Sequence, residues 1–440
     1  MPDLLIKGAG IVDPFNRLYE TRDVLISRGR VAEVGKAIKA GGRQVIEAGG
    51  RILAPGFLDL HAHLREPGRE DAETLESGLN AALRGGYTAV CCMPNTNPPL
   101  DNAPLIEGIY NRAQALGLAD LFPIGCLSAR RKGRELAEMA LMHMSRAAVS
   151  AFSDDGDGIQ DAGLMRRALE YASGFGGIII SHEEDSVLSN GGQINEGAMS
   201  NELGLRGMPA AAEEVMVARD LLLCALTGCR LHIAHVSTAG SVGMIREAKS
   251  RGVPVTAEAT PHHLLLSEND MVPYDTVFKV NPPLRTPEDV RGLREGLLDG
   301  TIDAIATDHA PHTIEDKERE FDNAPFGVIG LESAFTVLYT ELVKPGDLSL
   351  ERLIELLTLG PSTVMNLNPP FYGGGLCEGS RADLVLLDMD EEYSIDAFSF
   401  ASKGRNCPFH GRRVFGRVVC TLKNGKIAYM VNVSGKGRLM

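Results

Sequence analysis

Eight apolar, strand-like segments alternate with helix-like segments through the middle of this 440-residue chain, and no other feature of the sequence restricts the fold as strongly. The strand-like segments are residues 52–63, 87–95, 120–129, 147–156, 176–185, 229–237, 253–263 and 301–312. Helical patterns over residues 71–85, 133–146, 207–226, 240–251 and 287–298 lie between them. Such alternation predicts parallel strands covered by helices, and eight units predict a (β/α)8 barrel of the TIM type. An open doubly wound sheet is the alternative, but no glycine-rich phosphate loop follows the first strand.

The two ends of the chain have a different pattern, in which short strand-like segments are separated by turns rich in glycine and aspartate. These segments are residues 4–13, 23–35, 43–56, 382–390, 411–425 and 426–433. Asn424-Gly425 is a typical hairpin signal. We therefore predict that residues 1–54 and 370–440 together form a small β-sandwich domain, and that residues 55–369 form the catalytic barrel.

The chain is acidic, since 58 Asp and Glu residues outnumber 44 Lys and Arg residues and give a net charge of −14. This charge argues against binding to nucleic acid or to anionic membranes. No apolar stretch approaches the roughly 18 residues of a membrane-spanning helix, and the N-terminus lacks the pattern of a secretory signal. The eight cysteines include no C-x-x-C pair, and four of them lie in apolar runs, so we expect free thiols in a reducing cytoplasm.

Polar residues interrupt the first barrel strand at every second position. Asp59, His61, His63 and Arg65 alternate with leucine and alanine, and alternate residues of a strand point to the same face. Buried polar side chains are costly without partners, which a metal ion with substrate above it would supply. The alternative is an exposed edge strand with two surface histidines, which the surrounding apolar residues disfavour.

Histidine or aspartate also ends four other predicted strands. These residues are Asp154 and Asp155 after strand 4, His182 after strand 5, His232 and His235 in strand 6, and Asp308, His309 and His312 after strand 8. By itself, each could belong to a capped turn or to the core. In a barrel, however, the carboxyl ends of the strands meet at the rim where active sites lie. We therefore predict one site that contains side chains from five strands.

Alternation also selects among neighbouring residues at these strand ends. His232 and His235 lie on opposite faces of strand 6, and we choose His235 because it is nearer the strand end. Asp308 shares its face with two small alanines of strand 8, which places His309 behind it.

The predicted donors are imidazoles and carboxylates without thiolate, which suits Zn²⁺ or a similar divalent ion. Many two-metal hydrolases bridge their ions with a carbamylated lysine near the end of strand 4, but no lysine lies between Lys132 and Lys249. An aspartate must supply the bridge if two ions bind. Asp154 and Asp155 point to opposite faces, and we choose Asp155 as the ligand.

Longer motifs resemble those of one family. They are His63-Leu64-Arg65-Glu66-Pro67-Gly68, Met93-Pro94-Asn95-Thr96, Asn281-Pro282-Pro283-Leu284-Arg285, Ala306 to His312, and Pro325-Phe326-Gly327. Together with the histidines and aspartates above, they resemble the longer bacterial type (class I) of the dihydroorotase family, within the amidohydrolase superfamily. The resemblance extends over nearly the whole chain, including the divided β domain.

This resemblance implies reversible cyclisation of N-carbamoyl-L-aspartate to L-dihydroorotate, a step of de novo pyrimidine (UMP) biosynthesis. It implies one or two zinc ions, the first bound by His61, His63, Asp155 and Asp308 and the second by Asp155, His182 and His235. A metal-activated hydroxide would attack the ring amide, with Asp308 as general base and then general acid. The residues implied to bind the substrate are His63, Arg65, Asn95, Asn281, His312, Phe326 and Gly327. Arg65 would offer a planar fork to the substrate carboxylate. A salt bridge of Arg65 with Glu66 or Glu70 at the rim is the alternative.

Two other functions are weighed against this one. Another cyclic amidase, such as a hydantoinase, dihydropyrimidinase or allantoinase, is disfavoured by the absence of a strand-4 lysine and by Arg65, which a neutral ring would not need. A non-catalytic scaffold for aspartate transcarbamoylase should have lost metal ligands that this chain retains. We expect a homo-oligomer, and association with aspartate transcarbamoylase is compatible with activity.

Overall fold

Strands and helices alternate along the middle of the chain, and strands predominate at its two ends. The computed structural model describes residues 3–367, 372 and 374–431. In chain order, its strands are β1 (Leu4–Ile11), β2 (Thr21–Ser27), β3 (Arg30–Gly35), β4 (Gln44–Glu47), β5 (Ile52–Pro55), β6 (Phe57–Ala62), β7 (Tyr87–Cys92), β8 (Asp120–Pro123), β9 (Gly125–Cys126), β10 (Ala151–Ser153), β11 (Ile178–Ser181), β12 (Ile194–Asn195), β13 (Gly207–Met208), β14 (Arg230–Ile233), β15 (Val255–Ala259), β16 (Ala304–Ile305), β17 (Leu384–Ser394), β18 (Arg413–Lys423) and β19 (Lys426–Met430). Its α-helices are α1 (Leu75–Arg84), α2 (Ala103–Leu116), α3 (Met139–His143), α4 (Ala162–Ser173), α5 (Ser186–Ser189), α6 (Ala198–Leu203), α7 (Ala211–Thr227), α8 (Ala239–Ser250), α9 (Pro261–Leu265), α10 (Pro287–Asp299), α11 (Ile314–Lys317), α12 (Ala334–Leu338), α13 (Leu350–Leu357) and α14 (Leu359–Val364).

Parallel strands that follow one another in chain order form the barrel. β6, β7 and β8 pair in one sheet, and β9, β10, β11, β14, β15 and β16 pair in a second. β8 and β9 are halves of one extended segment, of which the first half pairs with β7 and the second with β10. On the opposite side, a parallel bridge between Ala62 and His309 connects the end of β6 to the segment after β16. The predicted (β/α)8 architecture is confirmed.

The barrel strands are covered on both faces, which explains why they read as continuous apolar runs. Leu58, Ala89 and Ile180 belong to a buried cluster formed by inward-facing residues of several strands. A larger cluster packs strand residues such as Phe152 against helix residues such as Leu169. Both clusters leave the carboxyl ends of the strands to polar side chains.

Strands from both chain ends form one sheet, which confirms the prediction that the two ends fold together. The strand order is β19-β18-β17-β5-β1-β2-β3, and β4 pairs with β1 beside this path. β17 pairs antiparallel with β5, so the C-terminal part lies directly against the N-terminal part. This sheet has its own buried apolar cluster, which includes Ile6, Val24, Leu384 and Leu422.

The first predicted run, residues 52–63, is divided between the two parts of the fold. β5 joins the chain-end sheet and β6 joins the barrel, with Gly56 between them. A Cβ atom at Gly56 would lie 2.3 Å from the Thr88 side chain, so the residue at which the chain passes from the sheet to the barrel must be glycine. The predicted domain boundary after residue 54 lies one residue before the end of β5, and it stays a prediction. The boundary predicted at residues 369 and 370 lies outside the described residues, as do residues 432 and 433 of the last predicted strand.

Four of the five predicted helices are present near their predicted positions, as α1, α7, α8 and α10. The helix predicted over residues 133–146 is wrong in its first part, because only α3 is helical there. Gly133, the first residue of that segment, has a φ angle of 60°, and this left-handed backbone cannot be part of a right-handed helix. No helix in the described part of the chain combines the length and the apolar character needed to span a bilayer.

A buried carboxyl group connects the barrel to the segment between β17 and β18. Glu332, just before α12, accepts hydrogen bonds from the backbone N–H groups of Ala401 and Ser402, both at 3.1 Å. Burial raises the pKa of Glu332 to about 7, and these hydrogen bonds and the guanidinium of Arg84 offset only part of the effect. The folded protein therefore keeps a proton on Glu332 in a pH range where the unfolded chain has released it.

We predict that Glu332 makes the free energy of unfolding fall as the pH rises. Folding raises its pKa from 4.5 to about 7. The stabilisation is therefore complete below about pH 4.5 and is lost as the pH rises through about 7. This group alone would change the free energy by up to roughly 3 kcal/mol. Glu332→Gln mimics the neutral acid, so the variant should gain stability relative to the wild type between about pH 5 and about pH 8, as measured by denaturant unfolding. A difference between the two proteins that does not change with pH would contradict this prediction.

Candidate active site

A cavity of about 180 Å³ opens at the carboxyl ends of the barrel strands. Eleven of the residues predicted for the site line it: His63, Arg65, Asn95, Asp155, His182, His235, Asn281, Asp308, His312, Phe326 and Gly327. Gly156 and Ala310 complete the lining. His61, the remaining predicted residue, is completely buried and lies next to two of the lining aspartates. The structure therefore brings all the predicted site residues together.

His61, in β6, is oriented by a carboxylate from β15. Its Nδ1 donates to Glu258 Oε1 at 2.8 Å, which leaves Nε2 facing the cavity side. Burial opposes ionisation of Glu258, but the imidazoles of His232 and His61 lower its pKa to about 2. His61 Nε2 has no hydrogen-bond partner and lies 3.4 Å from Asp155 Oδ1 and 3.5 Å from Asp308 Oδ1. Burial opposes protonation of His61, but Asp155 and Asp308 raise its pKa well above the usual value, so a proton or a cation must lie between Nε2 and these carboxylates.

His63 is oriented in the same way by an amide. Its Nδ1 donates to Asn95 Oδ1 at 2.8 Å, which leaves the lone pair of the neutral ring on Nε2. Burial lowers the pKa of His63 and so favours this neutral form. Nε2 lies 3.0 Å from Asp308 Oδ1 and 3.5 Å from Asp155 Oδ2. His61 and His63 therefore face the same two carboxylates.

Asp155 lies at the centre of four imidazole rings. The nitrogens nearest its carboxylate are His61 Nε2 at 3.4 Å, His235 Nε2 at 3.4 Å, His182 Nδ1 at 3.5 Å and His63 Nε2 at 3.5 Å. Its Oδ1 atom is buried and has no hydrogen-bond partner. This carboxylate is thus placed to contact ions on either side of it.

Asp154 and Asp155 have different surroundings. Asp154 accepts hydrogen bonds from the backbone N–H groups of Leu127 and Ser128 at 2.9 and 3.0 Å. Arg131 donates from Nη2 to the carbonyl oxygen of Asp155 at 2.6 Å. The loop after β10 is thereby fixed to the loop after β9, and Asp155 is the aspartate that reaches the cavity.

His182 and His235 form the other half of the cluster. His182 Nδ1 lies 2.9 Å from His235 Nε2, and His182 Nε2 lies 3.2 Å from Glu184 Oε2. Glu184 Oε2 also accepts a hydrogen bond from Asn281 Nδ2 at 2.7 Å. Burial opposes protonation of His182, but hydrogen bonds with Asp155 and Glu184 raise its pKa to about 10, so Nε2 donates to Glu184 while Nδ1 faces His235 and Asp155.

These donor atoms fit a divalent cation. Two groups have donor atoms close to one another, namely His61, His63 and Asp308, and His61, Asp155 and His235. His182 is outside both groups, although it contacts Asp155 and His235. Imidazole nitrogens and carboxylate oxygens converge here in a buried place, where a bound cation would replace the protons that His61 and His182 otherwise carry. The site can therefore hold a metal ion.

Arg65 places a positive charge on the wall of the same cavity. Its Nε donates to Pro311 O at 3.1 Å, and its Nη2 lies 3.3 Å from His312 Nε2. Burial lowers the pKa of Arg65 to about 10, so the guanidinium is still cationic at neutral pH. Among the described residues, no carboxylate forms an ion pair with it. Glu66, one of the two rim partners named in the alternative for Arg65, pairs with Arg112 instead.

Three site residues have left-handed backbone conformations, with φ angles of 58° at Arg65, 31° at His235 and 45° at Asp308. Residues other than glycine rarely adopt this conformation, and such outliers concentrate at functional sites. His309 lies behind Asp308, with its Nε2 atom 3.3 Å from Glu73 Oε2. The left-handed backbone at Arg65, His235 and Asp308 therefore points their side chains in directions that a regular strand would not allow.

The strict alternation predicted for the first barrel strand is wrong. Leu60 belongs to the inner cluster, whereas Ala62 belongs to the cluster between strands and helices. The pairing of β6 with β7 is irregular between Asp59 and Ala62, which changes the face to which later residues point. Asp59 therefore does not line the cavity, and it accepts hydrogen bonds from the N–H and Oγ1 of Thr307 at 2.8 and 2.6 Å.

Sequence reasoning missed two carboxylates that support the site. Glu258 forms hydrogen bonds with His61 and His232, and Glu184 forms hydrogen bonds with His182 and Asn281. A carboxylate inside the apolar run of β15 was the available signal for Glu258, because a buried charge needs a partner. Glu184 follows His182 closely but gave no signal of its own.

Solved structures share this fold. The L-hydantoinase (dihydropyrimidinase) from Arthrobacter aurescens has a TM-score of 0.85 and 28% sequence identity, over 97% of this chain and 96% of that chain. The dihydropyrimidinase from Brevibacillus agri NCHU1002 has a TM-score of 0.83 over 97% and 94%, and at 24% identity it supports the fold alone. Fold and site together define a barrel enzyme of the amidohydrolase superfamily with a site able to hold metal.

Sequence comparison narrows this class to one family. A family model described as "Dihydro-orotase-like" matches residues 50–241. A dihydroorotase of Pelotomaculum thermopropionicum is 51% identical over 425 residues, which cover 96% of this chain and 98% of that protein. A dihydroorotase of Thermoanaerobacter sp. is 47% identical over 426 residues, with 97% of each covered. This chain belongs to the dihydroorotase family.

We predict that Glu258→Gln lowers the affinity of the site for divalent metal by about tenfold to a hundredfold, because a carboxylate partner orients a ligating histidine and raises its basicity. A metal titration against a competing chelator measures this affinity. Glu213→Gln is the matched control, since Glu213 is also buried but accepts its hydrogen bonds from Ser237 and Thr238. Unchanged affinity in Glu258→Gln, or an equal loss in the control, would remove this role from Glu258.

Proposed function

We propose that this protein is a zinc-dependent dihydroorotase that interconverts N-carbamoyl-L-aspartate and L-dihydroorotate in pyrimidine biosynthesis. The observation that carries this proposal is the buried guanidinium of Arg65, which faces the cavity without a carboxylate partner among the described residues. Both compounds carry a carboxylate near the amide that reacts. One ligand would therefore satisfy both the cation and the cluster of His and Asp residues.

A hydantoinase is the second candidate, because the structural neighbours bear that name. Those neighbours are 22–28% identical to this chain, whereas the dihydroorotases are 45–51% identical. A neutral hydantoin ring would also leave Arg65 buried and unpaired. A non-catalytic scaffold is disfavoured because the candidate ligands are all in place. The expected homo-oligomer and association with aspartate transcarbamoylase stay predictions.

Zinc suits the donor set of imidazoles and carboxylates. We assign His61, His63, Asp155 and Asp308 to one ion and Asp155, His182 and His235 to a second, which gives one or two ions per chain. When bound, the metal would supply Lewis acidity towards the ring carbonyl and would lower the pKa of a water molecule. Asp155 takes the place of the bridging lysine of other two-metal hydrolases, and its contacts with four imidazoles support this role.

Asp308 would transfer the protons of the reaction. Burial opposes its ionisation, but the imidazoles of His61 and His63 lower its pKa below the ordinary value. It is therefore a carboxylate at neutral pH and can accept a proton from the attacking water. It would then deliver that proton to the ring nitrogen as the amide bond breaks, and cyclisation would use the reverse transfers.

The other lining residues would hold the substrate. The guanidinium of Arg65 would bind the substrate carboxylate through its Nη atoms, while Asn95, Asn281 and His312 would provide further polar contacts. Phe326 and Gly327 would shape the wall, because their backbone groups already have partners in the protein. The Phe326 carbonyl oxygen lies 2.8 Å from His312 Nε2, and the Gly327 N–H donates to the Lys279 carbonyl oxygen at 2.9 Å.

We predict that Asp308→Ala retains metal and loses turnover by at least about a hundredfold, since general acid–base catalysis contributes factors of this size. Steady-state rates with dihydroorotate and metal analysis of the same sample measure both effects. Substantial residual turnover in a metal-loaded variant would remove Asp308 as the proton carrier. Loss of metal from the variant would mean that the lost turnover reflects the role of Asp308 as a ligand and not as the proton carrier.

We predict that Arg65→Ala raises KM for dihydroorotate about tenfold to a hundredfold, because a charged hydrogen-bonding partner of the carboxylate is lost. Inhibition by neutral dihydrouracil should change little and serves as the control. Arg65→Lys should be intermediate, because lysine keeps the charge and loses the planar fork. Equal weakening of the charged and the neutral ring would mean that Arg65 does not bind the carboxylate.

A further inference from the structure

Two loops without regular secondary structure form one wall of the cavity. The first contains Ala310 and His312, which follow β16, and the second contains Phe326 and Gly327. The Ala310 N–H donates to Val328 O at 2.7 Å, and His312 Nε2 donates to Phe326 O at 2.8 Å. The position of one loop against the other therefore determines the shape of this wall.

The side chain of Asn406, from the segment between β17 and β18, joins the two loops. Its Nδ2 donates to Ala310 O and to Gly327 O, each at 3.0 Å, and its Oδ1 accepts the backbone N–H of His312 at 3.4 Å. Asn406 is 3% exposed, and its own carbonyl oxygen accepts the Ile329 N–H at 3.0 Å. One amide thus provides partners for three backbone groups of the wall.

This arrangement requires a primary amide. The two N–H bonds of Nδ2 serve two carbonyl oxygens, and Oδ1 serves an N–H group. The reverse orientation would place the amide oxygen against both carbonyl oxygens, so the contacts fix which way the amide points. A carboxylate at this position would meet the same repulsion, and alanine would leave Ala310 O and the His312 N–H without this partner, whereas Gly327 O would keep Lys317.

The first loop also forms a hydrogen bond with Arg65, the positively charged side chain of the site. Arg65 Nε donates to Pro311 O, which lies between the two residues of that loop that Asn406 contacts. Asn406 itself does not line the cavity. We infer that Asn406 is a positioning residue for substrate recognition, which keeps Arg65 and His312 where the substrate carboxylate binds. This inference rests on the proposed function.

Loss of the Asn406 side chain should loosen the wall without unfolding it, because the second loop has another support. Lys317 donates from Nζ to Pro325 O at 3.0 Å and to Gly327 O at 3.1 Å. The first loop has no such lysine among the described residues. Its displacement should therefore affect the binding of the carboxylate more than the chemical step.

Steady-state kinetics of Asn406→Ala and Asn406→Ser with dihydroorotate test the inference. We expect KM to rise about tenfold in Asn406→Ala and less in Asn406→Ser, which keeps one O–H donor, while kcat at saturation and metal content stay close to those of the wild type. Thr421→Val is the matched control, because it removes one buried hydrogen bond, from Oγ1 to Leu83 O, away from the cavity. A lower Tm with unchanged KM, as expected for the control, would overturn the inference for Asn406.

Hydrogen exchange gives a readout that does not depend on activity. In Asn406→Ala, the His312 amide loses its acceptor and residues 310–312 lose an anchor, so exchange of this segment should be faster than in the wild type and in Thr421→Val. If the wild type fails to turn over dihydroorotate, the proposed function fails, and this measurement still decides whether Asn406 holds the loop. Unchanged exchange across residues 310–312 would overturn the positioning role.

Discussion

One buried carboxylate, that of Asp155, lies among four imidazole rings, and the rest of the site is arranged around it. The nearest nitrogens of His61, His63, His182 and His235 are 3.4–3.5 Å from its oxygens. Three of these rings donate from their other nitrogen to Glu258, Asn95 or Glu184, which points the remaining nitrogen inwards. Imidazole nitrogens and carboxylate oxygens that converge in this way form a donor set that suits a divalent cation. Parallel strands that end at one rim bring together these residues, which are far apart in the sequence.

Residues outside the cavity determine where the lining residues point. Glu184 contacts both His182 and Asn281, so it connects the metal-binding cluster to a residue proposed to bind substrate. Asn406 connects two loops of the wall from a segment outside the eight barrel units. Arg65, whose Nε donates to one of those loops, places a positive charge on the wall of the cavity. Metal binding and recognition of an anionic substrate thus depend on one connected set of polar contacts.

Alternating strands and helices and the residues that end strands are local signals, and they predicted the fold class and the His and Asp residues of the cavity. Asn95, Asn281, Phe326 and Gly327 were predicted only from motifs that resemble the dihydroorotase family. The sequence did not predict side-chain directions in β6, where an irregular pairing shifts the faces. The left-handed backbone of Arg65, His235 and Asp308 depends on tertiary contacts that no local pattern encodes. Glu258 and Asn406 were missed for a related reason, since their partners lie 197 and 96 residues away in the chain.

The most direct test is an assay of the purified wild-type protein with dihydroorotate, hydantoin and dihydrouracil, together with metal analysis of the same sample. We expect turnover of dihydroorotate, much slower turnover of the two neutral rings, and one or two zinc ions per chain. Removal of the metal by a chelator should abolish the activity. A preference for a neutral ring, or full activity in protein without metal, would contradict the proposed dihydroorotase and its metal site.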